Sequence, residues 1–206
     1  MGHLQAFDVQ KIIDHFNIHG YIETGTGIGD SLYHALLFPF KKLYTIEYDR
    51  KLYSDIVNKM TDSHKLDPRL KIINDLSKKA LPKILSEINK KDAYLFFLDA
   101  HFPGADFTEA SDRYVVSMNK YGNDAIPLKD ELEIIYNMRP LHQDVIIIDD
   151  VYIYEEGPFE RGNWSERNKL NIGDMDFVYE IFKDHYSFQK NYKQQGYLVL
   201  SPLKHT

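Results

Sequence analysis

The sequence predicts an α/β fold, a three-layer sandwich whose mostly parallel seven-stranded sheet ends in an antiparallel C-terminal hairpin. Three observations carry this. Segments that read as helix and strand alternate regularly from Val9 to Ile148, the order that builds a parallel sheet covered by helices. Ala93–Leu98 and Val145–Ile148 are almost unbroken apolar runs, as strands buried on both faces should be. Residues 186–192 and 197–200 are separated only by a polar turn ending in Gly196, which sets two antiparallel strands side by side at the sheet edge.

The elements follow in order. Val9, Ile12, Ile13 and Phe16 recur at helical spacing, so the opening segment reads as an amphipathic helix against the core. Residues 20–23 form the first strand, and 31–37 a helix capped by Asp30 or Ser31. Residues 43–47 are the second strand, 49–60 a helix, Leu70–Asn74 the third strand and 77–89 a further helix. Pro127 opens a core-facing helix with Leu128, Leu132, Ile134 and Ile135 inward, and Asp130, Glu131 and Glu133 read as its solvated face. Residues 102–126 carry glycines, acids and aromatics with weak periodicity, the signature of a long lid or binding loop.

The chain has 206 residues, 43% of them hydrophobic, enough for one domain over 1–206 with a sizeable core. It has no cysteine, so disulfides and thiolate metal sites are excluded and any metal must use oxygen or imidazole ligands. No run approaches the roughly 18 apolar residues of a membrane span, and the N-terminus lacks the apolar core of a secretory signal. A cytoplasmic protein without membrane partners is the default expectation. The formal net charge of -6 argues against a broad phosphate-binding surface and ranks nucleic acid low among partners.

Between the first strand and its helix stands Glu23-Thr24-Gly25-Thr26-Gly27-Ile28-Gly29. Three glycines on alternate positions let the backbone turn tightly and approach a flat ligand without Cβ atoms in the way. The dinucleotide fingerprint G-x-G-x-x-G would need glycine where Asp30 stands, which disfavours nicotinamide and flavin. An acid beside the first glycine repels a pyrophosphate but can pair with a cationic amino-acid head group such as that of S-adenosylmethionine. The alternative is a glycine-rich turn without a ligand.

The order of these motifs resembles that of the class I S-adenosylmethionine-dependent methyltransferases over nearly the whole chain. Glu23 to Gly29 matches the family's E-x-G-x-G-x-G loop, and Glu47, 22 residues after Gly25, matches the acid that binds the ribose hydroxyls. An acid ending the second strand can accept both hydroxyl protons, because ligands of open parallel sheets lie across the strands' carboxyl ends. The terminal hairpin resembles the family's reversed last strand. The resemblance implies a cofactor site made by Glu23, Thr24, Gly25, Gly27, Gly29, Ser31, Glu47, Tyr48, Asp75 and Asp99, with Tyr48 flanking the adenine and Asp75 accepting from its amino group. Solvated acids at strand ends, and a half-buried tyrosine without a ligand, are the bland alternatives.

Strand four ends in Leu98-Asp99-Ala100-His101 and strand five in Ile148-Asp149-Asp150. Three carboxylates at one sheet edge without a counter-charge would be costly, so a bound cation is the economical explanation, and oxygen ligands suit magnesium, manganese or calcium. The placement resembles the metal triad of magnesium-dependent O-methyltransferases of the catechol and sugar type, which implies a divalent cation on Asp99, Asp149 and Asp150. The catechol enzymes have Asp-Asn at the last two positions and many sugar enzymes differ around the first acid, so the substrate class is not inherited. Adjacent strand residues face opposite ways, and Asp149 and Asp150 can share one ion only if the strand ends in a turn at Asp149. Otherwise one of them caps the following segment, and Asp99 touches the cofactor's methionine. His101 is placed to remove an acceptor proton or to act as a further ligand.

Residues 102–107 and 154–164 are expected to frame an acceptor pocket, with Trp164 and Arg161 either touching the acceptor or anchoring a loop. The resulting expectation is an enzyme that transfers a methyl group to a hydroxyl of a small molecule, with a homodimer left open. A metal-independent methyltransferase and a non-catalytic cofactor-binding subunit are the competing readings.

Overall fold

The computed structural model describes residues 3–62 and 67–203. Seven strands, β1 (Ile18–Thr24), β2 (Lys42–Glu47), β3 (Leu70–Asn74), β4 (Ala93–Leu98), β5 (Val145–Ile148), β6 (Tyr186–Asn191) and β7 (Tyr197–Pro202), form one sheet in the order β3-β2-β1-β4-β5-β7-β6. The first five are parallel, and β7 runs antiparallel between β5 and β6. This is the architecture expected from the apolar runs and the terminal hairpin.

The period-two alternation of the strands sorts their side chains into two cores. One face carries Ile22, Tyr44, Phe96 and Ile146 against α4 (Ser77–Glu87), α6 (Leu128–Met138) and α8 (Asp176–Phe182). The other carries Tyr21, Leu43, Phe97 and Ile147 against α1 (Val9–Phe16), α2 (Asp30–Ala35) and α3 (Arg50–Asp62). Phe96 and Phe97 are both 0% exposed, one in each core, so β4 has no solvated side.

Several boundaries differ from the sequence expectation. β1 starts at Ile18 rather than at residue 20, and α2 ends at Ala35 rather than 37. The segment 102–126 holds α5 (Arg113–Tyr121) between 3-10 turns at Ala105–Phe107 and Gly122–Ala125, where a loop of weak periodicity is expected. The apolar face of α5 is Tyr114, Met118 and Tyr121, all only partly buried, while Val115 and Val116 point outward. That inversion of the usual pattern hides the helix. The short helix α7 (Arg167–Leu170) and α8 follow β5 without a counterpart in the sequence reading. No helix among the described residues is long and apolar enough to cross a membrane.

A buried ion pair ties the end of α6 to β4 and to the start of β5. Arg139 donates through Nε to Asp144 Oδ2 at 2.8 Å and through Nη2 to Oδ1 at 2.9 Å, and Asp144 Oδ1 also accepts from the Tyr94 backbone N–H at 2.8 Å. Further Arg139 bonds reach the carbonyls of Asn89 and Asp92, so the guanidinium closes the amino-terminal edge of β4.

The chain proceeds outward from β1 to β3 and then returns to place β4 on the other side of β1. The carboxyl ends of β1 and β4 therefore flank a topological switch point, where open α/β sheets leave a crevice for a ligand.

Candidate functional site

A cleft opens over the carboxyl ends of β3, β2, β1 and β4, lined by Asp75, Glu47, Gly25, Gly27 and Asp99 among others. Its floor is the glycine turn. Gly25 has φ +78° and donates its N–H to Ile46 O at 2.9 Å. A Cβ on Gly25 would overlap the carbonyl of Asp99, so only glycine fits where the ends of β1 and β4 touch. Asp99 N–H in turn donates to Thr24 O at 3.0 Å.

Glu47 closes the turn from β2. Its Oε2 accepts from Gly27 N–H at 2.8 Å and its Oε1 from Asp49 N–H at 2.7 Å. Burial raises the Glu47 carboxyl above its ordinary value, against the pull of those backbone bonds. Asn74 spans β3 to β2 by donating to the carbonyls of Glu47 and Tyr48. Asp75, beside it, accepts from Leu76 N–H and pairs with Lys83 at 2.9 Å, and that bond to Lys83 holds its carboxyl below the usual range, ionised and facing the cleft. Tyr48 also lines the cleft, 39% exposed and edge-on to Tyr121 of α5 at 5.4 Å.

Of the remaining expected cofactor residues, Glu23 and Ser31 line the cleft and Thr24 and Gly29 do not. Glu23 is buried, accepting from Tyr21 Oη at 3.1 Å and Thr45 Oγ1 at 2.6 Å, and burial raises it to about 8 despite both bonds. Thr24 alternates away from the cleft and donates to Glu131 Oε2 at 3.3 Å. Gly29 starts α2 at φ +93° and packs near Ile56 and Tyr33, outside the cleft wall. Ser31 does line the cleft, its Oγ accepting from Leu4 N–H at 3.1 Å.

Glu131 corrects the sequence reading. It belongs to the inner face of α6, 1% exposed, where a solvated acid is expected. It accepts from the hydroxyls of Ser77 and Thr24, and burial raises it to about 7 against those bonds. Below the unfolded value of 4.5 both states hold the proton; as pH rises towards 7 the unfolded chain releases it and the folded chain keeps it, so this contribution to stability is lost. The Glu131→Gln chain is therefore expected to gain on wild type between pH 5 and pH 8, by on the order of 2–3 kcal/mol. Urea denaturation at the two pH values measures this, and a pH-independent difference would contradict it.

Beyond the cleft floor, Asp99, His101 and Asp150 each bring one ligand atom within 4.8 Å of the others. His101 Nδ1 lies 3.4 Å from Asp99 Oδ1, and Nε2 lies 3.0 Å from Asp150 Oδ2 and 3.5 Å from Asp106 Oδ2. Burial alone would lower the imidazole, but bonds to Asp106 and Asp150 and the charges of Asp150 and Asp99 hold it well above its ordinary value. The imidazole thus balances part of the charge of the carboxylates around it.

Asp149 stands outside this group. β5 keeps its pairing through Asp149, whose N–H donates to Leu98 O at 3.0 Å, and the turn comes one residue later, at Asp150 with φ +52°. The left-handed residue swings Asp150 towards His101, while Asp149 Oδ1 accepts from Asp150 N–H at 2.7 Å. Burial, then the charge of Asp150, push Asp149 well above the usual carboxylate range. Burial and the charge of Asp149 do the same to Asp99. Asp106 belongs to the 102–107 segment expected to frame the acceptor pocket, but nothing local marks its pairing with His101; burial would raise it, but its bond to His101 prevails and holds it at about 2. Tyr114 of α5 donates to it at 2.9 Å.

The donor set fits a hard divalent cation: two carboxylates and one imidazole converge, and Asp150 Oδ1 is buried without a hydrogen-bond partner among the described residues. Trp164 packs on Phe102, Tyr114 and Tyr152 with ring centroids 5.0–6.0 Å apart, which makes it the anchor of its loop, and Arg161 is exposed.

No family model matches the sequence, and no curated protein does. Solved structures match over nearly the whole chain. A candidate caffeoyl-CoA O-methyltransferase from Staphylococcus aureus is 16% identical with a TM-score of 0.63, covering 98% of this chain and 85% of its own. An O-methyltransferase from Bacillus cereus in complex with SAH (S-adenosylhomocysteine) is 12% identical with a TM-score of 0.55, covering 98% and 82%. The SAH-bound methyltransferase PaMTH1 of Podospora anserina is 15% identical with a TM-score of 0.54, covering 94% and 76%. The chain thus has the fold of class I S-adenosylmethionine-dependent methyltransferases.

Proposed function

We propose that this protein is an S-adenosylmethionine-dependent methyltransferase that methylates a hydroxyl oxygen of a small molecule, a sugar, catechol or other polyol or phenol, with the help of a divalent cation. One juxtaposition supports the reading most. The glycine turn closed by Glu47 meets, across the Gly25–Asp99 backbone contact, the partly buried Asp99 and His101 at the β4 end of the same cleft, with the buried Asp150 behind them.

Glu47 holds the ribose hydroxyls and the ionised Asp75 the adenine amino group, while Gly25 and Gly27 bring backbone close to the nucleoside. The carboxylates of Asp99 and Asp150 would hold the cation, whose charge would leave His101 neutral and able to accept a proton. When bound, S-adenosylmethionine supplies the methyl carbon and the cation acidifies an acceptor hydroxyl. The hydroxyl proton passes to the Asp99–His101 pair, both of which line the cleft, and the neighbouring Asp106 and Asp150 steady the charge on the imidazole. Phe102, buried directly after His101, keeps bulk water from that side.

The test is calorimetric binding of S-adenosylhomocysteine followed by methyl transfer from S-adenosylmethionine to a catechol and vicinal-diol panel, with and without EDTA. Binding with transfer abolished by EDTA and restored by magnesium is the expected result. Transfer undiminished after chelation would remove the cation; binding without transfer over the panel would favour a non-catalytic cofactor-binding subunit; no binding would sink the reading.

A further inference from the structure

The cleft runs from Asp75 and Tyr48, at the ends of β3 and β2, to Asp99 and His101 beyond β4. At the β4 end its wall is completed by the N-terminus, where His3 faces the cleft. The adjoining 3-10 turn Leu4–Ala6 is pinned in three places. His3 N–H donates to Tyr197 Oη at 2.9 Å, Leu4 N–H to Ser31 Oγ at 3.1 Å, and Gln5 Nε2 to Asp30 O at 3.1 Å. Leu4 itself is fully buried in the core beneath α2. Tyr197 lies near the reacting end: after burial, the charges of Asp149, Asp150 and Asp99 push its hydroxyl up. His3, bonded to that hydroxyl, therefore stands at the end of the cleft opposite Asp75.

The charges of the wall are lopsided. Among the described residues that line the cleft there are many carboxyl groups and no lysine or arginine; His3 and His101 are the only basic side chains. An S-adenosylmethionine molecule brings to this end an ammonium and a carboxylate. Acids serve the ammonium, whereas the carboxylate needs a cation or strong donor within a low-dielectric, acidic cleft. His101 is committed, with both ring nitrogens on carboxylates. His3 is 36% exposed at its side chain, and its Nδ1 lies 3.9 Å from Asp30 Oδ2, which orients the ring without enclosing it.

We propose that His3 is a cofactor-binding residue whose ring, held by Asp30, pairs with the α-carboxylate of the cofactor's amino-acid end; this rests on the cofactor site assigned under the proposed function. The N-terminal turn is then part of the donor site, and the bonds at Leu4 and Gln5 hold it against the start of α2.

Calorimetry on the full chain distinguishes this from a merely structural turn. The probes are S-adenosylhomocysteine and 5′-methylthioadenosine, which keeps the nucleoside and thioether but lacks the amino-acid end. His3→Ala is expected to weaken S-adenosylhomocysteine by roughly fivefold to tenfold, the size of a partly exposed charge-assisted hydrogen bond, and to leave methylthioadenosine unchanged. His3→Lys, which keeps an N–H donor at the position, is expected to recover most of the loss. Unchanged homocysteine-ligand affinity in His3→Ala, an equal loss for both probes, or no recovery with lysine would overturn the assignment of His3. A wild-type chain that binds neither probe would instead remove the cofactor site itself.

Discussion

Replacing His101 with alanine is expected to lower methyl transfer by roughly a hundredfold to ten-thousandfold, the usual contribution of a positioned proton-transfer group. S-adenosylhomocysteine binding should survive, because Glu47, Asp75 and the glycine turn hold the nucleoside without it. The substitution leaves Asp99, Asp106 and Asp150 crowded without their shared imidazolium, so the remaining carboxyls must take up a proton or a cation. Single-turnover assays beside calorimetry separate the two effects. A transfer rate close to wild type would restrict His101 to balancing charge.

Arg139→Met is expected to cost about 3–5 kcal/mol of stability, because it leaves Asp144 charged and buried without its partner. Arg139 is 2% exposed and Asp144 0%, and burial already raises the Asp144 carboxyl against the bond from Arg139. The double variant Arg139→Met, Asp144→Leu should recover a large part of the loss, since an apolar pair of similar volume removes the stranded charge. Guanidinium denaturation of the three chains gives the comparison. A single variant within about 1 kcal/mol of wild type would show that the carboxylate finds water, in the way exposed pairs do. The pair lies at the opposite edge of the sheet from the cleft, so cofactor binding reports folding alone.

The sheet was legible because its evidence is local: Phe96 and Phe97 fill both cores, and such a run has few other uses. The glycine turn was legible as well, since Gly25 sits where a side chain would strike Asp99. Helix α5 was not, because Tyr114, Met118 and Tyr121 make a helical stripe from half-buried residues while two valines face solvent. Glu131 carried a signal that composition obscured. It stands three residues after Leu128 and four before Ile135, inside the apolar stripe of α6, although two acids nearby suggest a wet face. The Asp149–Asp150 geometry depends on a single backbone rotation at Asp150, a conformation that aspartate tolerates but sequence does not announce. Asp106 reaches His101 only through the folding of residues 102–126, which no spacing rule encodes.

The aromatic anchor beside the cluster has a practical consequence. Trp164 is the chain's single tryptophan, in contact with Phe102, the residue after His101, and with Tyr114, which holds Asp106. Its emission is a built-in optical gauge for the acceptor half of the site. An acceptor or ion that shifts residues 102–114 changes that signal at one fluorophore, so titrations can be followed without a label and without knowing the reaction product.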